Sequence, residues 1–261
     1  MTDAPLVLRD DDDGVSTLTM NRPHARNSLS QGMLRALIAR FEEIAADPAV
    51  KVVILAGAGP AFCAGHDLKE IRASEYQRSY TEALFADCAE LMQRIVNLPK
   101  PVIARVHGVA TAAGAQLVAS CDLAVAAADS RFATPGVNIG LFCSTPMVAL
   151  SRNIAHKHAM QLLLTGDLID AATALRFGLV NELVPAEDLV SSTLAMARKI
   201  AQKSSLTVAI GKTAFYRQAE LPLAEAYAYT CQVMATNLEA RDAREGIDAF
   251  IEKRTPTWCG Q

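Results

Sequence analysis

The sequence has little of what would direct a 261-residue chain to nucleic acid, to a membrane or to zinc. Lysine and arginine total 25 against 28 aspartates and glutamates, so a formal charge of −3 gives no broad basic field for DNA, RNA or an anionic bilayer. Any polyanionic ligand must be held locally. The longest uncharged stretch, Phe132 to Ser151, contains Pro135 and Pro146 among Thr, Asn, Ser and Gly, whereas a spanning helix must be mostly apolar and satisfy its own backbone. No membrane partner is expected. There is no CxxC pair and no HExxH run, and His156 and His158, two apart, do not share a helical face; no metal is expected. Cys63, Cys88, Cys121, Cys143, Cys231 and Cys259 are scattered through a chain long enough to stabilise itself by burial, which argues for reduced thiols. The start, MTDAPLVLRDDDDG, has neither the basic-then-apolar layout of a secretory leader nor the Arg-rich character of a transit peptide. The expectation is a cytoplasmic protein, or a mature chain whose leader is gone.

What is present is ordinary globular composition, 51% hydrophobic and 20% charged, which excludes disorder. Short β-branched runs at Val15 to Met20, Val52 to Ala56, Val102 to Val106 and Leu123 to Ala127 read as strands. Between them Leu34, Leu37, Ile38, Phe41 and Ile44 recur at helical spacing, as do Tyr80, Leu84, Cys88, Leu91, Met92 and Ile95. This alternation predicts an α/β class built from βαβ-type units. After about residue 145 the pattern turns helical: Pro146, Asp170 and Pro185 sit at expected helix starts, Gly178 at an end, and only Leu179 to Val184 reads as strand. Two helices are expected over 223–253. No Pro/Gly/Ser linker intervenes, so the chain divides into a core over 1–195 and an appended helical, oligomerising segment over 196–261 that is no independent domain.

Several motifs fail. Ile210-Gly211-Lys212-Thr213 ends like a phosphate-binding loop, but Leu206 stands where its first glycine is needed. Gly57-Ala58-Gly59-Pro60 opens like a dinucleotide fingerprint and lacks the last glycine, which leaves a turn. No GxSxG elbow is present. Two stretches serve one purpose instead. In 60–70, PAFCAGHDLKE, Gly65 exposes backbone and Asp67 can cap a following helix; in 106–117, VHGVATAAGAQL, a strand runs into a helix through small residues. Both present free backbone N–H groups at a helix start, where negative charge is favoured.

Asn21-Arg22-Pro23 with Asn27-Ser28-Leu29, FCAGHDLKE at 62–70, HGVATAAGAQLVASCDLAVA at 107–126 and FIEKR at 250–254 resemble the enoyl-CoA hydratase/isomerase (crotonase) superfamily over nearly the whole chain. The resemblance implies a ClpP-like spiral of ββα units with a C-terminal helical layer, assembling as a homotrimer or as a hexamer of two trimers. It implies an acyl-CoA substrate, with coenzyme A entering as part of that substrate and no separate cofactor. The thioester carbonyl gains enolate character, stabilised by the amides of His66 and Ala113; such a donor is worth about 2.7–4 kcal/mol in the transition state. It further implies CoA contacts at Ala64, His66, Asp67, Leu68, Lys69 and Arg26, with Phe250 and Lys253 reaching a neighbouring subunit's CoA.

One part of the family pattern is broken. Family hydratases add water with two glutamates, and their positions fall at Gln116 and Gly136. A neutral carboxamide exchanges no proton near pH 7, and glycine has no side chain. The carboxylate position of dienoyl-CoA isomerases falls at Ser144. Efficient hydration is therefore doubtful, and Gln116→Glu with Gly136→Glu is expected to raise it. Three readings follow: an acyl-CoA enzyme using other groups, with His66, Thr134, Asn138, Cys143 and Ser144 as candidates; a malonyl-type decarboxylase, in which CO₂ loss makes the enolate without a base; or a non-catalytic acyl-CoA binder.

Overall fold

In the computed structural model, which describes residues 4–261, β1 (Val7–Asp12) forms an antiparallel edge beside β2 (Val15–Met20). Sequence pattern passes over β1 because its acidic residues break the apolar alternation. Those aspartates are exposed, and charge on an edge discourages a further strand from pairing there. α1 (Gln31–Ala46) follows, capped by the Ser30 hydroxyl, which accepts from Met33 N at 3.1 Å. Then come β3 (Val52–Gly57), α2 (Leu68–Ala73), α3 (Arg78–Asn97), β4 (Val102–Val106), β5 (Val109–Thr111) and α4 (Ala113–Ser120). The next turn of the spiral is β6 (Leu123–Ala127), β7 (Arg131–Ala133), a short 3-10 turn at Pro135–Ile139, α5 (Ser144–Asn153) and α6 (His156–Thr165). β8 (Ile169–Asp170), α7 (Ala171–Phe177), β9 (Glu182–Val184) and α8 (Leu189–Ala201) close the core, and α9 (Ser205–Ala219), α10 (Leu223–Glu239) and α11 (Arg241–Glu252) complete the chain.

Six strands form one sheet in the order β1-β2-β3-β4-β6-β9, parallel from β2 onward, and β5-β7-β8 form a second. The continuous apolar run of β3 is the signature of a strand covered on both faces. Val53 and Leu55 pack with Leu34, Leu37, Phe41 and Leu91 from α1 and α3, while Val52 and Ile54 pack with Leu189, Ala197 and Ala201 from α8. The boundary expected at residue 195 thus falls inside a helix whose later residues still cover the sheet. Strand three-residue lengths explain why β5 and β7 carry no legible sequence pattern. Leu179 and Val180, read as the start of a strand, are buried but precede β9, which is confined to Glu182–Val184.

Isolated parallel bridges Leu29↔His66 and Cys63↔Ala110 extend the second layer, so the segment after β3 lies between residue 29 and β5. Successive turns of the spiral are thereby stacked, and the loops that carry the two sequence blocks meet at one seam.

Candidate active site at the seam of two turns

The turn after β3 is built by a buried asparagine. Asn27, at φ 53°, donates from Nδ2 to Ala58 O (2.9 Å) and Ala61 O (2.8 Å) and accepts at Oδ1 from Arg22 N (2.9 Å). The chain then docks on β5: Cys63 N donates to Val109 O (3.1 Å) and Thr111 N to Cys63 O (3.0 Å). Leu29 N donates to Gly65 O (2.8 Å) and Asp67 N to Leu29 O (3.2 Å). In such a parallel bridge the intervening residue turns its own N–H to the other side. That residue is His66, and its amide donates to no protein acceptor among the described residues. Nor does the amide of Ala113, the first residue of α4 and therefore one of the orphan donors of a helix start.

These two free amides belong to turns in contact. A Cβ placed on Gly65, at φ +92°, would stand 2.9 Å from Ala112 Cβ and 3.5 Å from Ala113 N. Ala112 itself is held at φ 50°, ψ −117°, a backbone conformation that costs a residue with a side chain on the order of 1–3 kcal/mol and that persists only where the surroundings enforce it. The strain sits at the residue that aims the Ala113 amide.

Polar side chains near the seam are few. Gln116, one turn along α4 from Ala113, is 4% exposed, and its Oε1 accepts from the Cys88 thiol at 3.9 Å. The His66 Nδ1 lies 3.4 Å from Leu29 O, its ring stands edge-on to Phe85 at 5.3 Å, and its Nε2 is buried without a partner. Burial pushes the imidazole below its ordinary value of 6.5, so it is neutral at pH 7. Burial also drives the Cys88 thiol up to about 12.

Gly136 has no side chain, yet the space beside it is not open. A Cβ there would lie 2.6 Å from Leu141 O and 2.9 Å from Cys143 Sγ, because Leu141 N donates back to Gly136 O (2.9 Å) and folds the loop over. The expected benefit of Gly136→Glu is therefore corrected: the backbone excludes the new side chain. Of the other candidates, Thr134 is fully buried with an unpartnered hydroxyl and Cys143 is buried with its pKa raised by burial. Asn138 and Ser144 are exposed, with Ser144 Oγ donating to Phe142 O at 3.3 Å.

Among the residues considered for CoA, Asp67 is already committed. Its Oδ1 caps α2 by accepting from Lys69 N (3.0 Å) and Glu70 N (3.3 Å), and Arg22 pairs with Oδ2 at 2.7 Å. The Ala64 amide donates to Arg26 O at 3.0 Å, which leaves only the Ala64 carbonyl for a ligand. Arg26, Leu68 and Lys69 are exposed beside this turn. Phe250 and Lys253 stand at the end of α11, which packs on α9 and α10; Phe250 is 86% exposed. Sequence reasoning missed Arg22 as the partner of Asp67 and Phe85 as the face of His66. Phe85 borders the apolar stripe of α3, three residues before Cys88, but it is 40% exposed and periodicity gives no sign that it meets His66.

Residues 10–261 match the family described as enoyl-CoA hydratase/isomerase. The chain belongs to that family. It is 48% identical to human enoyl-CoA hydratase domain-containing protein 3, mitochondrial, over 94% of this chain and 81% of the relative. The Xenopus laevis protein of the same name is 48% identical over 97% of this chain and 86% of its own. A crystal structure of an enoyl-CoA hydratase from Mycobacterium smegmatis superposes with a TM-score of 0.95 at 54% identity, covering 98% of this chain and 99% of that one. The crotonase fold expected from sequence is thus the fold observed, and no helix among the described residues is long and apolar enough to cross a membrane.

Proposed function

We propose that this chain binds an acyl-CoA thioester at the seam and stabilises its enolate through the amides of His66 and Ala113. One observation carries the proposal: two unclaimed N–H groups on touching turns, one kept free by a parallel bridge and the other by a helix start. Two donors aimed at a developing oxyanion in a dry site act where they are worth most. Arg26, Lys69 and the backbone around Ala64 and Leu68 supply the local hold on CoA that a net charge of −3 demands.

Two-carboxylate hydration is not part of this proposal. Gln116 holds no exchangeable proton near neutrality, and Gly136 is closed by Leu141 O. Butyryl-CoA is expected to bind in a calorimeter. Crotonyl-CoA is expected to hydrate at a rate at least about 10²-fold below an ordinary enzyme turnover of about 10 s⁻¹. Ordinary turnover that Gln116→Ala abolishes is the result that defeats this.

The assembly proposed is a trimer or a pair of trimers. Leu223, Tyr227, Met234 and Leu238 of α10 and Ile247, Phe250 and Ile251 of α11 are all exposed, more apolar surface than a lone soluble chain ordinarily shows. Light scattering after gel filtration is expected to give three or six chain masses; one chain mass at micromolar concentration refutes it. The six cysteines are all free, which suits a reducing compartment, whether the cytoplasm expected from sequence or the mitochondrion named for the relatives.

A further inference from the structure

We infer that Arg22 is a positioning residue for the seam: its ion pair with Asp67 closes a ring of contacts that keeps the His66 amide aimed at the acyl oxygen. This deepens the acyl-CoA proposal and rests on it. Two donors stabilise a developing oxyanion only if neighbouring contacts hold them to within about 0.5 Å and about 10–20° of the productive geometry. The turn itself supplies no such stiffness. Gly65, at φ +92°, has no side chain to limit rotation of the peptide plane that carries the His66 N–H.

That plane is held from outside. In a planar trans peptide the His66 N–H points opposite to the Gly65 carbonyl, and Gly65 O accepts from Leu29 N at 2.8 Å. The residues to either side are fixed to the same segment: Ala64 N donates to Arg26 O (3.0 Å) and Asp67 N to Leu29 O (3.2 Å). Where residues 26–29 lie therefore sets where the amide points. That segment is itself strained, because Arg26 and Asn27 are both left-handed, at φ 50° and 53°, and such a conformation persists only where the surroundings enforce it.

Arg22 enforces it from two directions. Its N–H donates to Asn27 Oδ1 (2.9 Å) and its carbonyl accepts from Asn27 N (3.0 Å). Its guanidinium Nη1 meets Asp67 Oδ2 at 2.7 Å, and Ser28 O and Oγ at 3.4 Å each. Asp67 directly follows His66, and its other oxygen accepts from Lys69 N and Glu70 N at the start of α2. The ring of contacts runs from Arg22 through Asn27 and Leu29 to the His66 turn and returns through Asp67. Burial would raise the Asp67 carboxyl, but Arg22 and the α2 amides bring it below its ordinary value, so it is ionised at pH 7. With the two side chains 23% and 9% exposed, solvent ions screen the pair little.

The test reads the amides through the infrared carbonyl stretch of butyryl-CoA isotopically labelled at its carbonyl carbon. Binding to wild-type protein is expected to lower that frequency, because donated hydrogen bonds weaken the C=O bond. Arg22→Met, and Asp67→Asn, which keeps an oxygen to cap α2, are each expected to lose about half or more of the lowering while the calorimetric Kd rises less than about tenfold. The double variant is expected to lose no more than either single one, since the two residues share one contact. Arg22→Lys is expected to retain the lowering, because one ammonium can stand in for Nη1. Lys212→Met, which loosens the fold away from the seam, is expected to retain it in full. Wild-type lowering in Arg22→Met and Asp67→Asn overturns the inference. So does an equal loss in Lys212→Met or in Arg22→Lys, either of which would mark general loosening. Where Arg22→Met does not fold, Asp67→Asn and Arg22→Lys decide between the same outcomes. Wild-type protein that fails to bind butyryl-CoA, or binds it without lowering the frequency, would instead remove the acyl-CoA proposal itself.

Discussion

Gly114→Ala is expected to abolish butyryl-CoA binding and to lower stability by about 3 kcal/mol or more, the upper end of what overpacking costs. The reason is a close approach of two backbones. A Cβ at residue 114 would stand 2.1 Å from Cys63 O and 2.9 Å from Cys63 C, and neither atom has rotamers through which to yield. Relief requires the start of α4 to move away from the turn at 63–66. That movement parts the Ala113 and His66 amides, so stability and ligand affinity are lost together. Gly211→Ala provides the contrast. It lies mid-helix in α9 with nothing within 4 Å of the added methyl, and helix propensity makes it neutral or stabilising by up to about 1 kcal/mol. Urea unfolding with calorimetric titration of butyryl-CoA measures both. A Gly114→Ala protein that binds butyryl-CoA as wild type does would show that the seam tolerates separation.

Asp122→Ala is expected to cost about 3–5 kcal/mol, because it strands a buried ammonium. Lys212, whose side chain is 6% exposed, donates to Asp122 Oδ2 (2.7 Å), Ile95 O (2.9 Å) and Lys100 O (3.0 Å). Asp122 also accepts from Tyr216 at 2.9 Å and from Val102 N at 2.7 Å. α9 is pinned by this cluster to the end of α3 and the start of β4. Lys212→Met is expected to be the milder change, since Asp122 then keeps two hydrogen bonds and no cation is left unpaired. Unfolding curves in which Lys212→Met is the more damaging of the two contradict this account.

What the sequence discloses of the fold follows from how each element is buried. β2, β4 and β6 coincide with their apolar runs, and β3 extends one residue further, because all are covered by helices. Asp170, which accepts from Thr173 N at 2.8 Å, and Gly178, at φ +84°, mark the ends of α7 as their residue types predict. β1 escapes notice since an edge strand needs no apolar alternation. The same division holds at the site. The glycine and small-residue pattern points to the two turns, but the contacts that shape them lie between residues far apart in sequence. Nothing in the run Ala64-Gly65-His66 discloses that Leu29 orients the ring or that Phe85 flanks it. Ile210 to Thr213, a failed phosphate-loop match, lies inside α9, where Lys212 serves the ion cluster just described.

The loop that runs from Gly136 to Cys143 also limits what its first residue can become. With Leu141 O 2.6 Å from where a Cβ would begin, any side chain at residue 136 meets backbone in place of open space. Room for one would first require the 137–143 segment to be rerouted. An exchange at residue 136 is thus a question of loop conformation before it is one of acid and base.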